Sequence, residues 1–220
     1  MKKLFFLCVL ALTGIFAAAQ EKEDVTESGD MDGGGYTNIF YNYNIGVPAG
    51  MSSHGWGLDF SGMEFRWAPG NGHNVFSVSV VDLSFDIHYM ERGHMLALSD
   101  DQGKIIPAGE GKSRLVSSIN DFGVTLPLGY TYEASRWAAG IYVAPGVSFA
   151  EFRNSYLQDG WRHYDSFERD EARVSFRLDI KAGFWFDDFG IMLRYRPFPA
   201  FRTDIFPSYN TVSVGVSFRI

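Results

Sequence analysis

From residue 36 onward, apolar and polar residues alternate along the chain with a period of two. Between 172 and 186 the even positions are Ala172, Val174, Phe176, Leu178, Ile180, Ala182, Phe184 and Phe186. The odd positions are Arg173, Ser175, Arg177, Asp179, Lys181, Gly183 and Trp185. A helix repeats its faces every 3.6 residues and would mix these two sets, whereas a strand separates them. The closing segment repeats the design, with Val212, Val214, Val216, Phe218 and Ile220 opposing Thr211, Ser213, Gly215, Ser217 and Arg219. Near the start, Ile39, Tyr41, Tyr43, Ile45 and Val47 alternate against Asn38, Phe40, Asn42, Asn44 and Gly46.

Two further segments need one correction of phase each. In 74–89 the apolar series Phe76, Val78, Val80 passes to Val81, Leu83, Phe85, Ile87 and Tyr89. A β-bulge near Val80-Val81 restores a single face, and a similar bulge near Ser61-Gly62 joins Trp56, Leu58, Phe60 to Met63, Phe65, Trp67. Strands over 114–132, 136–152 and 189–197 bring the expected number to eight. The connections 68–73, 133–135 and 187–188 are short, and 48–55, 90–113, 153–171 and 198–208 are longer. Alternating tight turns and extended loops is the habit of membrane barrels, whose inner turns are tight and outer loops long. The expected fold is therefore an all-β, eight-stranded antiparallel up-and-down transmembrane β-barrel over 36–220. Trp56, Trp67, Tyr89, Tyr130, Trp137 and Tyr195 suit interfacial girdles. A soluble lipocalin-like barrel, with the apolar face inside, is the alternative fold.

The N-terminus sets the compartment. Lys2 and Lys3 precede a short apolar core from Leu4, and Ala17-Ala18-Ala19 offers a small-residue cleavage site. Residues 1–19 are thus expected to be a cleaved signal peptide, with Cys8 leaving in it, and the protein to reside in a Gram-negative outer membrane. The only cysteine goes with that leader, so neither disulfides nor thiolate chemistry is expected afterwards. Residues 20–35, acidic and then Gly-rich, read as a flexible lead-in. A formal net charge of −7 with no basic stripe argues against nucleic acid. Aromatics form 16% of the chain while mean hydropathy is only −0.08, which leaves no room for helical spans beyond the leader but suits a barrel.

Val124-Thr125-Leu126-Pro127-Leu128-Gly129-Tyr130 is similar to the hydrophobic-x-Leu-Pro-Leu-x-Tyr strand of the PorT-type outer-membrane β-barrel family. Ala139-Gly140-Ile141-Tyr142-Val143-Ala144-Pro145-Gly146 resembles the next strand of that family, with its paired glycines. The resemblance implies a small outer-membrane barrel and supplies no catalytic residues.

Asp59, Glu64, Arg66, Asp82, Asp86 and His88 from early strands are expected to face inward. Later strands add Arg173, Arg177, Asp179, Lys181, Arg194 and Arg196. The lumen of an eight-stranded barrel is only wide enough for side chains, so these charges are expected to neutralise one another and plug it. A narrow pore for small solutes is the second reading. A membrane enzyme, protease-like or lipid-modifying, is the third. The protease form would need Asp100-Asp101, His163 and Asp165 to converge. His54, His73, His88 and His94 have no ligand spacing, and no metal or cofactor is expected. The leading expectation is a non-enzymatic barrel with a structural or loop-mediated binding role. Its partners would be outer-membrane lipid and an envelope protein or extracellular ligand reached through loops 90–113 and 153–171. Tyr156, Trp161, Arg162, His163 and Tyr164 form the expected binding surface, and Ile105-Ile106-Pro107 is expected over the barrel mouth.

Overall fold

Strand-forming alternation is met by inter-strand pairing throughout the computed structural model, which describes residues 35–68, 73–99, 102–167, 174–198 and 206–219. Its elements are β1 (Tyr36–Ile45), β2 (Met51–Trp67), β3 (Asn74–Met90), β4 (His94–Ser99), β5 (Gln102–Pro107) and β6 (Ser113–Thr125). They continue with β7 (Leu128–Glu133), β8 (Trp137–Gln158), β9 (Trp161–Phe167), β10 (Val174–Phe186), β11 (Phe189–Arg196) and β12 (Asn210–Arg219). All the pairings are antiparallel, and β1 pairs with both β2 and β12, which closes the sheet into an eight-stranded barrel. The eight staves are β1, β2, β3, β6 with β7, β8, β10, β11 and β12. Closure leaves no barrel edge to template aggregation.

The sides of this wall are inverted relative to a soluble barrel. Ile39, Leu58, Phe60, Phe85, Ile141, Phe176, Phe184, Ile191 and Val214 stand exposed outside, while Asp86, Arg177, Asp179, Lys181 and Arg194 are buried inside. The lipocalin-like alternative, which required apolar residues within, is overturned by this burial pattern. On β8 the outward residues Trp137, Ala139, Ile141, Val143, Val147 and Phe149 form an apolar run. At about 3.3 Å per residue and a tilt of about 40°, that run is about 30 Å tall, close to the apolar band of outer-membrane barrels. Around its lower edge, rings are linked in sequence: Trp67 to Phe76 at 5.6 Å, Phe76 to Tyr130 at 5.3 Å, and Tyr132 to Trp137 at 5.4 Å between centroids. Tyr195 departs from the girdle expected of it, because its register opposite Ile180 and Val212 puts it mid-belt.

Both phase shifts occur where the sequence placed them. Val80 and Val81 are both half-buried, and Ser61 and Gly62 are both buried. From Val78 to Asp82 β3 inserts three residues where the next stave, between Leu128 and Thr125, has only Leu126 and Pro127. Proline has no amide to donate; its carbonyl instead accepts the Ser79 N–H at 3.0 Å, and the Leu126 N–H reaches the Pro145 carbonyl at 2.9 Å. Across β2, Met63 adopts φ 55° at the matching level.

The connections differ from the expected ones at three places. Residues 51–55 belong to β2, since Met51 pairs with Met90 and His54 with Tyr43, so the first outer connection is as tight as an inner turn. Gly46 at φ 73° and Gly50 at φ 84° make that tightness possible. Within 90–113, β4 and β5 form a separate hairpin, and within 153–171, β8 runs on and returns as β9. These polar stretches pair because strands rising out of the belt still offer unsatisfied amides to a partner.

Candidate functional site

Inward positions stack into three layers along the barrel axis. At the lower end Tyr36, Phe40, Ala138, Tyr142, Trp185 and Met192 form an apolar layer. Trp185 Nε1 donates to Ser217 Oγ at 2.9 Å, and Gly183 leaves the space its indole occupies, since a Cβ there would overlap the ring. At the upper end Met51, Met90, Leu96, Ile119, Ala150, Phe152, Phe206 and Tyr209 form a second apolar cluster. Leu96 reaches it because the β4–β5 hairpin folds across the mouth, held by Asn154. That side chain accepts the Leu96 N–H at 3.1 Å and donates to the Leu96 carbonyl at 2.8 Å. Ile105 packs against this cluster, whereas Ile106 and Pro107 face solvent, so only one residue of the Ile-Ile-Pro segment seals the mouth. Val47 also turns inward to the same cluster instead of continuing the outer face of β1.

Between the two apolar layers lies an ion-pair network. Asp86 accepts from Arg177 at 3.3 Å, Arg194 at 2.5 Å and Arg196 at 2.8 Å. Asp179 accepts from Arg177 and from Arg196, each at 2.8 Å, and Asp121 from Arg196 at 2.8 Å and Arg177 at 3.4 Å. Asp59 meets Arg194 at 2.7 Å and Lys181 at 2.9 Å, and Lys181 also reaches Asp82 at 2.5 Å. Neutral side chains add further hydrogen bonds: Asn42 donates to Asp86 at 2.8 Å, Thr125 to Asp82 at 2.8 Å, and Ser148 to Asp121. All these charged groups are buried, and each cation bridges at least two carboxylates, which is the condition under which buried charges are tolerable. The buried charges and the apolar layers above and below them fit a plugged lumen.

Eight of the inward charges named from the sequence thus share one network: Asp59, Asp82, Asp86, Arg177, Asp179, Lys181, Arg194 and Arg196. Glu64 and Arg66 do not join it. They lie beyond the β2 bulge at the lower rim, where Arg66 pairs with Glu133, and Arg219 joins Glu133 at 2.9 Å. Arg173 lies outside the described residues. His88 is buried next to the network with its ring 5.3 Å from that of Tyr209, and neither of its nitrogens has a partner among the described residues. Asp121 was missed by the sequence reading, although Asp121, Gly123 and Thr125 alternate with Phe122, Val124 and Leu126 in the same two-residue rhythm.

The five residues expected to form one loop surface are split between two faces of the outer hairpin. Asp159 at φ 53° and Gly160 at φ 80° form its two-residue turn, the primed type that an Asp-Gly pair favours. That dipeptide was the signal for a hairpin in place of a loop. In the register Tyr156 opposes His163, and the two rings stack at 5.3 Å on the face turned towards the barrel axis. Lys112 sits 4.4 Å over the Tyr156 ring. Burial, together with its hydrogen bond to Asp165, raises the Tyr156 phenol above its ordinary range. Arg162 opposes Leu157 and Tyr164 opposes Ser155, on the face continuous with the outer wall. Trp161, 76% exposed, stands at the tip. Arg153, not singled out beforehand, completes the outer face: its guanidinium and that of Arg162 each lie 5.7 Å from the Tyr164 ring. His163 is stacked on a tyrosine, and Asp100 and Asp101 lie outside the described residues.

No protein-family profile matches the chain, and no curated protein matches its sequence. Among solved structures it is similar to Ail, the attachment invasion locus protein of Yersinia pestis, at 14% identity and a TM-score of 0.40, over 89% of this chain and 100% of that one. Ail has also been solved in complex with the heparin analogue sucrose octasulfate, and that structure gives 14% identity and a TM-score of 0.41 over 89% and 100% of the two chains. Neisserial surface protein A is similar at 9% identity and a TM-score of 0.41, over 88% of this chain and 99% of that one. These likenesses are distant, and the barrel rests on its own strand pairing.

Proposed function

We propose that this chain is an outer-membrane barrel of a Gram-negative envelope that acts by display instead of by transport or catalysis. It is exported with residues 1–19 as a cleaved leader and 20–35 as a tether, and it belongs with the PorT-type barrels that its Leu-Pro-Leu strand resembles. Its closed wall holds the β8–β9 hairpin and the β4–β5 lid above the outer leaflet, where they meet an envelope protein or extracellular ligand. One observation carries the reading: the wall is apolar outside and ionic inside, with large hydrophobics such as Ile141 exposed at 62% while Asp86 and Arg177 are at 0% and 1%. In water that arrangement exposes far more contiguous apolar surface than a soluble monomer tolerates; in a bilayer it is the stable one.

Cell fractionation with heat-modifiable gel migration tests the placement, and planar-bilayer current tests the plug. Recovery in the outer membrane, a mobility shift on boiling and no steady conductance are expected. Recovery in the soluble periplasm would overturn the placement, and stepwise ionic currents would replace the display role with that of a narrow pore.

A further inference from the structure

The outer face of the β8–β9 hairpin differs from the rest of the surface in one respect. Arg153 and Arg162 converge on the Tyr164 ring from opposite ends, and neither has a carboxylate partner among the described residues. Glu151, the acid nearest Arg153 along β8, stands two residues lower on the same outward face and forms no ion pair with either arginine. Asp165 opposes Asn154, on the other face of the hairpin. Two guanidiniums beside one aromatic ring, with no carboxylate partner among the described residues, form a cationic patch suited to an anionic group. Stacking removes part of the ordering cost that a long side chain otherwise meets on binding.

Height and direction say which anion. The apolar run on β8 ends at Phe149, and Arg153 stands on the same outward face four residues higher, which at the strand's rise and tilt is about 10 Å above the belt. Tyr164, opposite Ser155, is one step higher still. The patch therefore faces sideways, over the headgroups of the lipids that surround the barrel, and not upward into the medium. We propose that Arg153, Arg162 and Tyr164 bind phosphate groups on outer-leaflet lipid headgroups and so fasten the hairpin to the membrane surface beside it. This inference rests on the outer-membrane placement proposed above. The carbonyls and amides of the paired strands are already engaged with each other, so the phosphate oxygens are met by guanidinium N–H donors, bidentately where the geometry allows.

The test uses the mature full-length barrel in neutral maltoside micelles, titrated with bisphosphorylated lipid A and with the same lipid stripped of phosphate. Wild type is expected to bind the phosphorylated form at least tenfold more tightly, and R153Q/R162Q to lose that preference. The conservative R153K/R162K pair should recover only part of it, because lysine cannot bond bidentately. Heat-modifiable migration of each variant verifies that the barrel has folded. Equal affinity of wild type for both lipids would overturn the proposal, as would an unchanged preference in R153Q/R162Q. Inositol hexakisphosphate binding as tightly as lipid A would also overturn it, by making the natural anion a soluble one. A barrel absent from the outer membrane would sink the placement itself, whereas a failed titration with intact placement sinks only the lipid contact.

Discussion

Arg177 on β10 and Arg153 on β8 are the same side chain on neighbouring staves, and they do opposite things. Arg177 points inward, is 1% exposed, and divides its guanidinium among Asp86, Asp121 and Asp179. Arg153 points outward above the belt, with its guanidinium 5.7 Å from the Tyr164 ring and no carboxylate partner among the described residues. Parity along the strand decides the first difference, and height above Phe149 decides the second. Among the described residues each cation of the lumen network meets at least two carboxylates, which fits a plugged lumen. On the hairpin the charge has no carboxylate among the described residues, and the proposed lipid contact draws on that difference.

That comparison breaks most sharply at Asp86. Asp86→Ala leaves Arg177, Arg194 and Arg196 short of a shared acceptor, and uncompensated buried charge costs about 3–5 kcal/mol. Urea titration of the heat-modifiable band should show the loss as a lowered midpoint; an unchanged midpoint would mean the network is not what holds the lumen together. Next in size is the coupling between Lys181 and Asp82. Lys181→Met leaves Asp59 and Asp82 without their common cation, and adding Asp82→Asn should return part of the stability, a coupling of about 1–3 kcal/mol in a double-mutant cycle. Additive single effects would show that the pair does not interact. Gly183→Ala should cost about 1–3 kcal/mol by forcing the Trp185 ring out of place, and Trp185→Phe in the same chain should relieve part of it. Smallest is Arg153→Ala, whose stability effect should stay within about 0.5 kcal/mol, as for other surface positions without a partner. A loss near that of Asp86→Ala would place Arg153 in the structure of the barrel and not on its working surface.

Much of this could be read along the chain. The odd positions 175–185 and 211–219 face inward, and bulges lie near Val80 and Ser61, because each is a local consequence of a two-residue repeat. Asp121 was legible in the same way and overlooked. The pairing of β8 with β9 is hidden from the alternation because polar residues lie on both faces, although Asp159-Gly160 marks the turn. Val47 and the first outer connection went astray for another reason: where the wall rises past the belt, burial is set by what folds over the mouth and no longer by lipid.

The sequence by itself determined the strands, their inward and outward faces and the inversion that calls for a membrane, since periodicity belongs to each segment alone. Only the tertiary structure decided which charges meet. Arg194 donates to Asn42 at 3.1 Å across 152 residues of chain, and to Asp59 across 135, contacts that exist because closing the barrel sets one register for all the staves. Closure likewise brought Arg177 from β10 to Asp86 on β3, and Lys181 to Asp59 on β2 and Asp82 on β3. Those placements depend on summed stagger and tilt around the whole barrel, and no single strand contains that information.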